Sequence, residues 1–315
     1  MKNKKQIIII AGPTASGKTN LGIELAKKIN GEIVSADSMQ IYKYMDIGTA
    51  KPSVEEMQGI KHHLIDIIYP DEEFSVALFK QYADNAIEQI YSKGKIPIVV
   101  GGTGLYINSL TYSLNFSESE PDKQYRDYLD NLAKQYGAKY LHDMLKNIDP
   151  DAANNIHPNN IKRVIRALEV FKNTGKRISE YQSTTKQNEP DYEFAYFCLD
   201  MPRNVLYDRI NKRVDIMFEK GLIGEVEKLI TLGYTRELQS MQAIGYKEVF
   251  DYLDGKLSLE EVKNIIKQNT RRYAKRQLTW FRKDNRIYWL EVFNKQLDEI
   301  LSNMLGYIEG KLKLL

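Results

Sequence analysis

Short, unbroken apolar runs alternate with stretches of helical periodicity along most of the chain. Ile7 to Ile10 is a strand-sized apolar run, and from Leu21 to about Ile29 the pattern turns helical before stopping near Asn30-Gly31. Glu32 to Ala36 reads as a second strand, Phe74 to Ser92 as a helix, and Ile96 to Val100 as a further buried strand. Within that helix Phe74, Ala77, Leu78, Tyr82, Ala86 and Ile90 recur at helical spacing. Fully apolar strands alternating with amphipathic helices predict an α/β fold around a parallel sheet. Met45 to Asp66, with Gly48, Pro52 and Gly59, reads as a loop.

From about Asn115 the pattern changes. Ser117 to Pro121 reads as a linker, helical segments then run to Asn173-Thr174-Gly175, and the next strand signal is Tyr192 to Leu199. The expected organisation is an α/β core over residues 1–115, a helical insertion over 116–190, and a return to the core over 191–315. The return carries a helix from Val205 to Gly221, an amphipathic stretch from Leu222 to Ile230, and an ordinary helix after Lys295.

Composition narrows the class. The chain has 315 residues, 43% hydrophobic and 28% charged, as in a soluble globular protein with one large core or a core plus a smaller domain. No apolar run approaches membrane-spanning length, so no membrane segment is expected. Met1 to Lys5 followed by isoleucines resembles a leader peptide, but the run is too short and leads straight into a glycine turn. The one cysteine, Cys198, excludes a disulfide framework or a multi-cysteine zinc site and fits a reducing, cytoplasmic setting. Net charge is only +3, so its distribution matters more than its sum.

The chemistry begins where the first strand ends. Gly12-Pro13-Thr14-Ala15-Ser16-Gly17-Lys18-Thr19 matches G-x-x-x-x-G-K-[ST] between a strand and a helix, the context of a phosphate-binding loop. Its glycines let backbone N–H groups face an anion, and the helix start turns its positive end to the same place. Lys18 adds a cation, and the Thr19 hydroxyl is suited to a magnesium ion. Asp37 follows the second strand and lands beside this loop, as a turn or helix-capping residue or as a site carboxylate. Gly101-Gly102-Thr103-Gly104 is a second glycine-rich strand exit, where backbone or ligand must come close. His62-His63 has no neighbouring ligand at metal spacing, so a structural or hydrogen-bonding role is expected.

Basic residues cluster late. On the helix Ile161 to Phe171, the residues Ile161, Val164, Ile165, Leu168 and Phe171 share one arc and Lys162, Arg163 and Arg166 the opposite one. Arg203, Arg209, Lys212 and Arg213 sit on the next long helix, mostly destined for solvent. Val262 to Arg286 holds nine Lys/Arg against one acid, Asp284, with Lys263, Lys267, Arg271 and Lys275 in one row and Tyr273, Trp280 and Phe281 interleaved. Such a row is the electrostatic footprint of a polyanion. Three readings are open: a small-molecule kinase, an enzyme acting on nucleic acid, and a nucleotide-switched RNA-binding module. The basic surfaces favour the second.

The motifs at 12–19, Asp37-Ser38-Met39-Gln40-Ile41-Tyr42, His62-His63-Leu64, 101–106, Arg163 to Val170, Ala243-Ile244-Gly245-Tyr246-Lys247 and Arg271 to Gln277, in this order, resemble the tRNA dimethylallyltransferases along nearly the whole chain. Without C-terminal cysteines it is similar to the bacterial form, which lacks a zinc finger. The resemblance implies a monomeric, P-loop NTPase-like sheet with flanking helices and a helical insertion domain. It implies dimethylallyl diphosphate on Gly12 to Thr19, Mg²⁺ on Thr19, and Asp37, Thr103 and Lys18 as catalytic residues. It implies contact with the tRNA anticodon stem-loop at Asp37, Ser38, Met39, Gln40, Thr103, Arg126, Lys162, Arg163, Val164, Ile165, Arg166, Gln242, Ala243, Ile244, Gly245, Tyr246 and Lys247.

Overall fold

The structure is a computed structural model in which residues 4–112, 122–181 and 189–313 are described. The linker expected at 117–121 lies outside them. The chain divides into two compact units, residues 1–111 with 191–315, and residues 112–190.

The larger unit opens with β1 (Lys5–Ala11), α1 (Lys18–Lys28), β2 (Gly31–Ala36), α2 (Val54–Met57), β3 (His62–His63), α3 (Val76–Ser92), β4 (Ile96–Gly101) and α4 (Gly104–Thr111). The smaller unit contains α5 (Lys123–Tyr136), α6 (Ala138–Ile148), α7 (Pro150–Asn155) and α8 (Ile161–Thr174). The larger unit resumes with β5 (Tyr192–Asp200), α9 (Arg203–Glu219), α10 (Leu222–Thr231), α11 (Tyr246–Leu253), α12 (Leu259–Phe281), β6 (Tyr288–Glu291) and α13 (Leu297–Lys311).

Six strands form one sheet in the order β3-β2-β4-β1-β5-β6, every pairing parallel. The isoleucine run of β1 is fully buried because the strand is central and covered on both faces. Ile7, Ile9 and Ala11 enter one core with residues of α3, α4, α10, α11 and α12. Ile8 and Ile10 enter the other with Leu21, Ile23 and Leu25 of α1 and Ile300, Leu301, Met304 and Ile308 of α13. The period of two along a strand thus splits a featureless apolar run between two layers.

The stretch from Met45 to Asp66 departs from the expected loop. Ser53 and Glu56 form a capping box that starts α2, a four-residue helix without a buried residue, which leaves no apolar period to read. His62-His63 is an edge strand paired with Ile33-Val34. Buried His63 directs Nε2 to Glu32 Oε2 at 2.8 Å, and Lys93 and Lys95 reach the same carboxylate. Burial alone would raise the Glu32 carboxyl, but hydrogen bonds from His63, Lys93 and Lys95 hold it down at about 2.

The smaller unit packs Leu129, Ala133, Leu141, Leu145, Val164, Ile165 and Leu168 into its own core. Val164 and Ile165, expected at an RNA surface, therefore have their side chains inside this bundle. Lys162 and Arg163 are exposed. Arg126 and Arg166 converge on fully buried Glu169: Arg126 donates Nε at 2.7 Å and Nη2 at 2.9 Å, and Arg166 donates Nη1 at 2.6 Å. Both arginines are thus held in place by an acid inside their own bundle.

Candidate active site

Strand register builds the site. Ala11 of β1 lies level with Gly101 of β4 and Cys198 of β5, and Gly101 lies level with Ala36 of β2. The next residues, Gly12, Gly102 and Asp37, consequently leave the sheet side by side at its carboxyl edge. Sequence places these motifs up to 90 residues apart; parallel pairing gathers them.

In the glycine loop, Gly12 (φ 151°), Ala15 (φ 64°) and Gly17 (φ 95°) take backbone conformations that turn the chain tightly ahead of α1. Ser16 is 2% exposed, and its Oγ has no hydrogen-bond partner among the described residues. An orphaned buried hydroxyl inside such a glycine loop is a donor able to meet an oxygen ligand. Lys18 Nζ rests on the Pro13 carbonyl at 2.7 Å. Burial, and then the nearby charge of Arg213, depress the Lys18 ammonium to about 8, against the opposing pull of Asp37. Burial also lowers Arg213, while Glu56 and Asp37 hold it up. Two partly desolvated cations lining one cleft, one repelling the other, favour uptake of an anion there. Lys18, Thr19 and Arg213 line one cleft of about 800 Å³ with Ile47, Pro52 and Met57.

Thr14 departs from the expected anion cradle. Its N–H donates to Gln277 Oε1 at 2.9 Å, so it faces protein. The same Gln277 amide donates through Nε2 to Gly102 O at 2.9 Å. Close approach explains the second glycine turn: a Cβ at Gly101 would overlap Ala36, one at Gly102 the Gln277 amide, and one at Gly104 the Trp280 ring. Gln277 and Trp280, with Tyr273, recur on one face of α12, which lies over both glycine turns.

On the other side of the mouth, Asp37 Oδ1 accepts from Met39 N at 2.9 Å and Gln40 N at 3.4 Å, the turn-forming role of an aspartate. Thr103 Oγ1 accepts from Ser38 N at 3.1 Å. Tyr273 lies beside Thr103, its hydroxyl raised by burial and by the charge of Asp37 and drawn down by its closeness to Thr103. Asp37, Thr103 and Tyr273 therefore form one polar group. The Gln40 amide donates toward Thr49 O at 3.4 Å and Ala50 O at 3.3 Å, and its Oε1 takes the Ser35 hydroxyl.

Glu225 holds the loop that supplies those carbonyls. It accepts from the N–H groups of Asp46, Ile47 and Gly48 at 2.9, 2.7 and 3.1 Å and from Tyr246 OH at 2.6 Å. Tyr246, expected to touch RNA, is completely buried, and its ring fills the space that any side chain at Gly48 would need. Gly245 is also buried and donates to Glu248, while Ala243 and Ile244 are half-buried. Gln242 is exposed, and Lys247 lies 3.7 Å from Glu248.

The basic row of α12 is a packing seam for three of its four members. Arg271 donates to Asn211 at 2.6 Å, Lys267 pairs with Asp215 at 2.6 Å, and Lys263 stands over the Phe218 ring at 5.4 Å. Partners at 211, 215 and 218 on α9 meet 271, 267 and 263 on α12 in antiparallel order. The exposed cations of this helix are Arg272, Lys275 and Arg276. Of the basic residues on α9, Arg203, Arg209 and Lys212 are exposed and only Arg213 reaches the cleft. Its position was invisible in sequence because four cations on one helix carry no label for depth.

Comparison with known proteins places the chain. The model of a family described as "IPP transferase" matches residues 40–284, and one described as "Isopentenyl transferase" matches residues 5–69. The tRNA dimethylallyltransferase of Acetivibrio thermocellus is 57% identical over 303 residues, 96% of this chain and 97% of that protein. The solved tRNA isopentenylpyrophosphate transferase from Bacillus halodurans superposes with a TM-score of 0.73 at 49% identity, over 99% of each chain. A eukaryotic dimethylallyltransferase solved in action on tRNA superposes with a TM-score of 0.80 at 34% identity, over 97% of this chain and 79% of that one. By that family match and that identity along nearly its full length, the chain belongs to the IPP transferase family of tRNA-modifying prenyltransferases.

Proposed function

We propose that this chain transfers a dimethylallyl group from dimethylallyl diphosphate to N6 of the adenosine 3′ of the anticodon in tRNA, releasing diphosphate. Family membership supports prenyl transfer to tRNA. The residue roles rest on one observation above all: β1, β2 and β4 deliver Gly12, Asp37 and Gly102 together at one sheet edge. A kinase reading is not favoured, since the matched relatives are prenyltransferases.

The bond between the allylic carbon and the diphosphate oxygen breaks, and its electron pair leaves on the diphosphate. The loop N–H groups, Ser16 Oγ, Lys18 and Arg213 are the donors for that charge. A bond forms from N6 to the allylic carbon, and the N6 proton passes to Asp37 as general base. Thr103 and the 38–40 backbone hold an adenosine drawn out of its stack, since chemistry on a stacked base is blocked. Among the described residues no group of three or more His, Cys, Asp or Glu side chains is arranged for a metal, so a hard cation here would rest on the Thr19 hydroxyl with the diphosphate and water supplying its other oxygens. Thr19 would hold Mg²⁺ there, which supplies neutralising charge to the diphosphate. Arg126, Lys162, Arg163 and Arg166 would bind RNA phosphates from the insertion, with Gln242 and Lys247 as further contacts. Val164, Ile165 and Tyr246 would serve by shaping those surfaces from within.

We also place the protein in the cytoplasm as a monomer. Among the described residues no helix is long and apolar enough to cross a membrane. The test is direct: purified protein, unmodified tRNA and dimethylallyl diphosphate should yield prenylated adenosine on nucleoside mass spectrometry. ATP in place of the donor should yield no phosphorylated product. Phosphoryl transfer without prenyl transfer would overturn the assignment.

A further inference from the structure

We infer that Gln277 is a positioning residue that couples the diphosphate loop to the turn carrying Thr103, so that filling one site raises affinity at the other. The inference rests on the proposed placement of donor and acceptor at these two loops. Its basis is a single amide with one end on each. Gln277 is 7% exposed; its Oε1 accepts from Thr14 N, and its Nε2 donates to Gly102 O. Only one amide orientation satisfies a backbone donor and a backbone acceptor at once, so the side chain cannot flip without losing both.

The consequences run along the backbone in both directions. On one side Thr14 belongs to the loop that wraps the diphosphate, so an anion that orders residues 12–19 fixes the Thr14 N–H. On the other side the Gly102 carbonyl defines the peptide plane of Thr103. The Thr103 N–H is bonded to Ala36 O at 3.2 Å and its hydroxyl holds Ser38. Displacing that plane moves the polar group around Asp37. Gly102 is matched to this bridge, because a Cβ there would overlap the Gln277 amide nitrogen. A buried glutamine that merely satisfied two stray backbone groups would stabilise the fold and transmit nothing.

Thermodynamic linkage separates the two roles, because a coupling between sites must appear equally in both affinities. The measurement is the dissociation constant of inorganic pyrophosphate, with and without a saturating anticodon stem-loop RNA, on the full chain. The wild type should bind pyrophosphate about tenfold more tightly with RNA present, an ordinary size for such linkage. Gln277→Met keeps the volume and removes both hydrogen bonds, and Gly102→Ala pushes the amide off from the opposite side. Both should bring the ratio close to one while RNA-free pyrophosphate affinity changes by less than about threefold. A ratio unchanged in both variants, or a wild-type ratio of one, would overturn the coupling. Wild-type protein that binds no pyrophosphate at all would refute the donor-loop assignment, and the coupling with it.

Discussion

Thr103 accepts the backbone N–H of Ser38 at 3.1 Å, so the turn after β4 fixes the loop after β2 at the residue next to Asp37. Two strand exits that share no sequence are thereby locked into one constellation. Removing the hydroxyl leaves Ser38 N without its partner and lets Asp37 drift. Thr103→Ala should reduce kcat/KM by about one power of ten, the scale of one net hydrogen bond at 0.5–1.5 kcal/mol. Steady-state kinetics with tRNA varied would check this.

Asp37→Asn keeps the Oδ1 acceptor that Met39 uses but cannot take a proton. The general-base assignment therefore expects a fall in kcat of about 10²–10⁴-fold with both substrates still bound. If raising magnesium restores most of the rate, Asp37 orients the metal and the base lies elsewhere.

On the proposed assignment, Lys18 should set a pH limit on donor binding. Burial and the charge of Arg213 lower its ammonium to about 8, and only the charged form attracts a diphosphate. Affinity for dimethylallyl diphosphate should be level between about pH 7, where the donor's terminal phosphate is ionised, and pH 8, and fall as pH rises through it. Lys18→Ala should bind weakly with no such break. Arg213→Gln should shift the break upward, because a repelling cation is gone, while lowering kcat/KM by roughly 10²-fold through lost charge stabilisation. Calorimetric titrations from acid to alkaline pH would read both effects.

Salt dependence separates the two faces of α12. Each RNA phosphate neutralised contributes about −0.7 to −0.9 to the log–log slope of affinity against salt. Replacing exposed Arg272 and Arg276 by Gln should flatten that slope. Lys267→Met should leave it unchanged and lower the urea midpoint, since Lys267 is spent on Asp215.

The edge-strand network makes stability acid-sensitive. Glu32 is held at about 2, below its unfolded value, so its contribution is present above about pH 4.5 and lost as pH falls toward 2. His63 is also lowered, chiefly by burial and despite its bond to Glu32, so folding favours its neutral form. Its contribution is likewise lost as pH falls below about 6.5. Urea midpoints of wild type and Glu32→Gln should differ most near neutrality and converge only as pH approaches 2.

Local information determined much of this protein. The isoleucine run, the glycine spacing at 12–19 and the apolar rhythm of α3 name their elements because a central strand, an anion turn and an amphipathic helix each write a short-range signature. Asp37 and Thr103 were legible as strand-exit residues for the same reason. What lay beyond reach was depth and partnership. Lys263, Lys267 and Arg271 form a basic row on α12 in either view, but only the packing of α9 reveals that acid, amide and aromatic partners cover them. Val164, Ile165 and Tyr246 sit inside motifs of chemistry yet turn inward. Arg213 and Gln277 reach the site from helices far along the chain, because a hydrogen bond or a desolvated charge depends on distances in space that spacing in sequence does not encode.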